Sequence, residues 1–187
     1  MTLETNRQLE DLVAKAKSGN KAAYSEIVRM MMRPVIALTH RMVRDREAAI
    51  DLAQDTFVTA WEKLSSFRGD SKFETWLFTI ATNKSINYLN SAARRTTERL
   101  DDVTVSRVSN SNPEDDMLQG ELRSGVMEFM KGLPGQQRAV FNLRFYHQMT
   151  FEEISNALGK ALGTVKTHYR EAVKKLREHA LAKGWTP

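Results

Sequence analysis

Residues 150–180 read TFEEISNALGKALGTVKTHYREAVKKLREHA. Thr150 followed three positions later by Glu153 is a capping box: the hydroxyl can accept from the Glu153 amide while the carboxylate reaches back. The short helix that starts there stops at Gly159, which suits a left-handed C-terminal position. A second helix opens near Gly163 and Thr164. Val165, Tyr169, Ala172, Leu176 and Ala180 make its inner face, and Lys166, Arg170, Lys174 and Arg177 make its outer one. Ser155, Gly159 four positions on and Val165 six beyond that have helix-turn-helix spacing. The first is small where two helices cross, the glycine makes the turn and the valine fills the shared core. Such a pair lays the N-terminal end of its second helix in the major groove of DNA. The plainer alternative is a surface hairpin with a solvated basic face.

Outward from this stretch, the charge is uneven. The chain of 187 residues carries a formal charge of +5 and an isoelectric point near 9.5. Residues 161–187 hold Lys166, Arg170, Lys174, Lys175, Arg177 and Lys183 against Glu171 and Glu178. Over 98–121 the balance reverses, with seven acids against Arg99 and Arg107. A basic end beside an acidic middle implies segments that meet different partners. Residues 106–113 are turn formers without periodicity, so 96–120 reads as a flexible acidic linker. Helical periodicity resumes near Leu122 and continues to about Leu181.

On the other side of the linker, residues 3–93 read as nearly continuous helix, interrupted at Gly19-Asn20, at Pro34 and at Phe67-Arg68-Gly69-Asp70. The clearest helix, 46–65, has an apolar stripe of Ile50, Ala53, Phe57, Ala60 and Leu64. Residues 73–89 repeat the pattern with Phe73, Leu77, Ile80 and Ile86 and add Trp76 and Phe78. No strand alternation persists. The expected fold is all-α: a helical domain over 1–95, the linker over 96–120, and a helix-turn-helix domain over 121–187.

Two faces of the first domain carry chemistry. Asp51, Gln54, Asp55 and Val58 stand at i, i+3, i+4 and i+7, beside the core stripe of their helix. Such a group can be an acid/base pair, a metal site, a docking patch or a solvated face. In 73–89, aromatics are interleaved with basic and amide residues, a composition that suits single-stranded DNA. Bases stack on rings at about 1–3 kcal/mol each while cations hold phosphate. The competing reading puts Phe73 and Trp76 in the core.

Several classes are disfavoured. With no cysteine, disulfides and thiolate metal sites are excluded. His40, His147, His168 and His179 show no metal-ligand spacing, and there is neither a Gly-rich phosphate loop nor a nucleophile motif. A non-enzyme without metal or cofactor is expected. No apolar run approaches the roughly 18 residues of a membrane helix, and the first ten residues are polar, unlike a secretory signal. The expectation is a cytoplasmic protein without membrane insertion.

The words Leu133-Pro134, Gln137-Arg138-Ala139-Val140-Phe141, Leu143-Arg144, Thr150-Phe151-Glu152-Glu153-Ile154 and Gly163-Thr164-Val165-Lys166-Thr167 together resemble region 4 of bacterial sigma factors. Asp51-Leu52-Ala53-Gln54-Asp55, followed by Phe57, Trp61 and the Phe67-Arg68-Gly69-Asp70 turn, resembles sigma region 2.2. Residues 73–89 with Arg94-Arg95 resemble regions 2.3 and 2.4. The chain is similar to the extracytoplasmic-function sigma factors of the sigma-70 family, subunits that direct RNA polymerase to promoters. By that resemblance Asp51, Gln54, Asp55, Val58 and Trp61 would dock on the polymerase core, formed by its beta and beta-prime subunits. Phe67, Arg68, Lys72, Asn83, Lys84, Asn87, Arg94 and Arg95 would serve the −10 element. Arg144, Thr164, Lys166, Thr167, His168, Arg170 and Lys174 would serve the −35 element. An anti-sigma partner is also implied.

The departures are informative. Glu171 and Val173 stand where relatives commonly carry basic residues, which leaves the −35 sequence open. Thr79-Ile80 replaces the adjacent tryptophans of primary sigma factors, as in specialised factors of weaker melting power. With the linker directly after region 2, regions 1.1 and 3 are expected to be absent. The two promoter elements lie about 25 base pairs apart, on the order of 80 Å at about 3.4 Å per pair. Some twenty linker residues reach at most roughly 70–80 Å stretched and average about 27 Å as free coil. Polymerase must therefore hold the two readers apart, and by resemblance Asp101, Asp102, Glu114, Asp115 and Asp116 would lie in its basic channel. The alternative is a helix-turn-helix regulator with a helical sensor domain, for which the Asp51–Asp55 face would have no use.

Overall fold

Asn20 and Asp45 are short polar residues placed before apolar-periodic runs, and each accepts a helix N-terminal amide: Asn20 from Ala23 at 3.0 Å and Asp45 from Ala48 at 2.9 Å. They open two of the four helices of the N-terminal half, α1 (Leu3–Lys17), α2 (Lys21–Val43), α3 (Arg46–Lys63) and α4 (Phe73–Glu98). The C-terminal half holds α5 (Met117–Gly132), α6 (Gly135–Phe145), α7 (Phe151–Leu158) and α8 (Leu162–Ala182). These come from a computed structural model that describes residues 3–98 and 117–184, the side chains of 3, 94–98 and 117–124 apart. Among the described residues there is no strand.

Two boundaries differ from the sequence expectation. Pro34 does not interrupt the chain; it lies inside α2. A proline in a helix interior costs about 3 kcal/mol, but its neighbours Met31, Val35 and Leu38 are wholly buried. Each such side chain contributes about 1.5–3 kcal/mol by burial, so packing outweighs the break. The break falls instead at Arg44, which takes a left-handed conformation (φ 63°) and donates its amide to the His40 carbonyl. Helix also extends beyond the expected linker edges, to Glu98 on one side and from Met117 on the other. The rest of the expected linker, with Asp101, Asp102, Glu114, Asp115 and Asp116, lies outside the described residues.

In the N-terminal half, α2 is the spine, packing against α1, α3 and α4. The Thr39 hydroxyl, fully buried, donates toward the Ala49 carbonyl at 2.8 Å and so pins α2 to the start of α3. The α3 stripe is buried as Ala49, Ala53, Thr56, Phe57 and Ala60, while Ile50 is only half-buried. In the C-terminal half α8 packs on α6 and α7. Phe129, Met130, Leu133, Phe141 and Ala172 form its second apolar cluster.

The halves also pack on each other, a feature absent from the sequence reading. Helix α6 lies against α2 and α4, and α7 against α4. Ala139, Val140, Leu143, Met149, Ile154 and Val165 join the same buried cluster as Leu38, Met42 and Leu77. The Met42 carbonyl sits in the last turn of α2, where no in-helix donor is available. Arg138, 6% exposed, donates to it and, at 2.8 Å, to the Leu133 carbonyl. Burial, with Arg44 as a lesser cause, holds the Arg138 guanidinium down to about 10. Asn142, also buried, donates to the Leu38 carbonyl at 3.3 Å and accepts from Arg41 Nε at 2.9 Å.

Candidate functional site

Three surfaces carry the residues singled out by sequence. The first is the outer strip of α3, whose opposite side is held in the core by Ala53, Thr56 and Ala60. That anchoring turns Asp51, Gln54 and Asp55 to solvent. Val58, 58% exposed, continues the strip. No hydrogen bond among the described residues uses the three polar side chains. Trp61 is half-buried against Tyr24, ring centroids 4.8 Å apart. Lys21, Tyr24, Ser25, Phe57, Val58 and Trp61 line a cleft of about 360 Å³ between α2 and α3. The Tyr24 hydroxyl donates to the Phe57 carbonyl at 2.5 Å, and burial pushes its phenol up to about 12. Sequence reading missed Lys21 and Tyr24, because pairing across two helices leaves no periodic signal on either one.

The second surface joins the 67–72 turn to α4. Phe67 is half-buried, edge-on to Phe73 at 5.6 Å and 5.2 Å from Trp76. Lys17 donates to its carbonyl at 2.6 Å. Phe73 is 5% exposed and therefore core, as the competing reading had it. Arg68 and Lys72 are exposed at the turn, Asn87 is exposed on α4, and Lys84 is half-buried. Asn83 is exposed too, but its amide donates to the Ala157 carbonyl of α7 at 3.1 Å. Arg94 and Arg95 lie on α4, with side chains outside those described.

The third surface is α7 and α8. The capping box is present in both directions: Glu153 N–H to Thr150 Oγ1 at 3.1 Å and Thr150 N–H to Glu153 Oε2 at 2.7 Å. Gly159 closes α7 at φ 60°, ψ 37°, a left-handed conformation that glycine adopts without strain. Ser155 donates to the Lys160 carbonyl at 2.6 Å, fixing the turn from the inside. Val165 and Ala172 are fully buried, so Thr164, Lys166, Thr167, Arg170 and Lys174 face outward and His168 is half-buried. Thr167 also donates back to the Gly163 carbonyl at 2.9 Å. Lys166 and Arg170 rim a cleft of about 340 Å³ with Phe151, Tyr169 and Val173. Arg144 lies at the end of α6. It is half-buried, donates to the Met149 carbonyl at 3.1 Å and lies 5.3 Å from the Phe151 ring centroid. It braces the turn that enters α7.

The outer face of α8 offers exposed donors to an anion, and α3 offers exposed carboxylates beside an apolar cleft. Among the described residues no three His, Asp or Glu side chains gather as metal ligands, and no helix is long and apolar enough to cross a membrane.

Residues 27–95 match the family Sigma-70 region 2, and residues 129–178 match Sigma-70, region 4. The chain is 32% identical over 184 residues to the RNA polymerase sigma-H factor of Pseudomonas aeruginosa, covering 91% of this chain and 94% of the relative. It is 34% identical over 183 residues to the ECF RNA polymerase sigma-E factor of Escherichia coli K12, covering 90% and 94%. Among solved structures it resembles the sigma factor RpoE bound to the anti-sigma factor NepR from Bartonella quintana, with a TM-score of 0.68 and 24% identity over 83% of this chain and 95% of that one. It also resembles CnrH in complex with the cytosolic domain of CnrY, with a TM-score of 0.64 and 25% identity over 96% and 99%.

Proposed function

The chain belongs to the sigma-70 family, and from that premise we propose that it is an extracytoplasmic-function sigma factor, which directs RNA polymerase to promoters and initiates transcription there. It does so in the cytoplasm, where core polymerase and the chromosome are, and it contributes no catalytic group of its own. The division of labour follows the surfaces. Residues 1–95 bind core and the −10 element, 96–120 span the gap, and 121–187 bind the −35 element.

The observation that carries this reading is the pairing, in one chain, of the exposed Asp51–Gln54–Asp55–Val58 strip with the capped helix-turn-helix. A DNA-binding regulator uses the second alone. On the strip, Val58 and the half-buried Trp61 supply apolar contact, and the three polar groups ring it. Interfaces concentrate their binding energy in such an arrangement. Phe67, Arg68, Lys72, Asn83, Lys84, Asn87, Arg94 and Arg95 handle the −10 strand. Because Phe67 is packed against Phe73 and Trp76, it shapes the turn that Arg68 and Lys72 present. Arg144, Thr164, Lys166, Thr167, His168, Arg170 and Lys174 serve the −35 duplex, Arg144 from the α6–α7 turn that it also holds. The relative from Bartonella is held by an anti-sigma factor, and a partner of that class restrains this chain too.

Run-off transcription with purified core polymerase on a genomic promoter library tests the reading. The chain should start transcripts from a defined promoter set only when core is present. The double variant Asp51→Ala/Gln54→Ala should lose core binding in a pull-down while keeping its helical circular dichroism. No transcript at any promoter sinks the function; undiminished core binding sinks the assignment of the α3 strip.

A further inference from the structure

We propose that the contact between the two halves is a proton-released clasp, in which neutral His147 holds the closed arrangement and its protonation opens it. His147 lies in the turn between α6 and α7, beside Gln148 at φ 52°. Its Nε2 is 3.2 Å from Arg41 Nη2 of α2. A guanidinium has only donors, so Nε2 must accept and the ring proton must sit on Nδ1. Protonating Nε2 replaces this bond by two opposed donors on two cations, in a place with little water to screen them.

The surroundings give that proton nowhere favourable to go. From α4 the neighbour is the Phe78 ring, centroids 4.0 Å away, and Phe78 is 7% exposed. From α2 it is Arg41, whose guanidinium is also bound to Asn142 and lies 4.1 Å over the Tyr146 ring. Arg44 bears on Arg138, and His40 responds to Arg41, Arg46 and Asp45. Among the described residues no carboxylate bears on His147. Burial first, and Arg41 second, lower the imidazole from its ordinary 6.5 to about 3. Since the closed form binds the proton less well, its stabilisation by His147 is complete above about pH 6.5. It is lost progressively as the pH falls through the window toward 3.

Opening matters because of what the clasp engages. The same packing engages Asn83, a residue of the −10 surface, with the Ala157 carbonyl. This consequence rests on the sigma-factor reading; the clasp itself does not.

The chain has no cysteine, so Glu62→Cys and Glu178→Cys, both at exposed positions on opposite halves, accept a dye pair cleanly. Single-molecule energy transfer on the isolated full chain then counts open and closed molecules at pH 7.5, 6.5 and 5.5. With His147 present, the open-to-closed ratio should rise about tenfold from pH 7.5 to 5.5. His147→Gln retains an acceptor for Arg41 and cannot titrate; its ratio should change less than twofold, even though His40 is intact. An equal response in both proteins, or none with His147, overturns the proposal. Should His147→Gln stay open at every pH, proton NMR of the unsubstituted chain decides. The His147 C2 proton must lose the Phe78 ring-current shift as it titrates. Titration with that shift retained overturns the proposal. The measurement needs no polymerase, so its failure is distinct from failure of the run-off experiment.

Discussion

A guanidinium almost withdrawn from water is destabilising unless its donors find acceptors, and Arg138 shows how one is accommodated. Two of its nitrogens reach carbonyls that would otherwise be buried without partners, while Nε has none. Removing the side chain strands those carbonyls, each at about 1–3 kcal/mol. Arg138→Ala should therefore lower the unfolding free energy by about 3 kcal/mol, read from urea melts with an unchanged m-value. Arg138→Met, which keeps the aliphatic stem, should restore part of the loss. A change under about 1 kcal/mol for the alanine variant would show that the carbonyls are satisfied another way. Little of this was legible beforehand. In sequence Arg138 and Asn142 are polar residues on a helix, and nothing in a single helix says that a second one will cover them. Arg144 is a similar case: its bond to the Met149 carbonyl and its place beside Phe151 could not be read from the sequence.

At the scale of elements, signals confined to a few neighbouring residues survived folding intact. The Thr150–Glu153 box, the end of α7 at Gly159 and the outward face of α8 were all readable, because each depends on contacts within one or two turns. Pro34 was misleading because helix propensity competes with burial, and burial is decided by other elements. The start of α3 at Arg46 was readable, but the left-handed residue before it was not, because it is an arginine. Gly159 permits a sharper test. A methyl group there would meet nothing within 4 Å, so any effect of substitution is conformational. Gly159→Ala should cost about 1 kcal/mol in a denaturant melt, the typical penalty for a left-handed L-residue. Asn, which tolerates that region better, should cost less. Equal and larger losses for both would point to crowding and contradict the open space.

For the whole molecule, two domains and a spacer were legible from the shift in charge and periodicity, but their mutual packing was not. Val140, Leu143 and Ile154 serve their own half and the other at once, so their apolar character announced a core without saying whose. Removing the C-terminal half should uncover the faces of α2 and α4 that these residues touch. A fragment of residues 1–98 should melt at least about 5 °C below the full chain by circular dichroism, since about 1 kcal/mol shifts a domain of this size by 4–8 °C. An unchanged midpoint would mean that the two halves contribute nothing to each other's stability.

The last turn of α2 also has an evolutionary consequence. Arg41 faces Asn142 and His147 across the chain, so none of these three positions is free to drift alone. A lineage that replaced the arginine would strand an amide oxygen and an imidazole nitrogen together, and selection would favour compensating changes at 142 and 147. Ancestry should thus have left its record there as linked substitutions between residues a hundred positions apart.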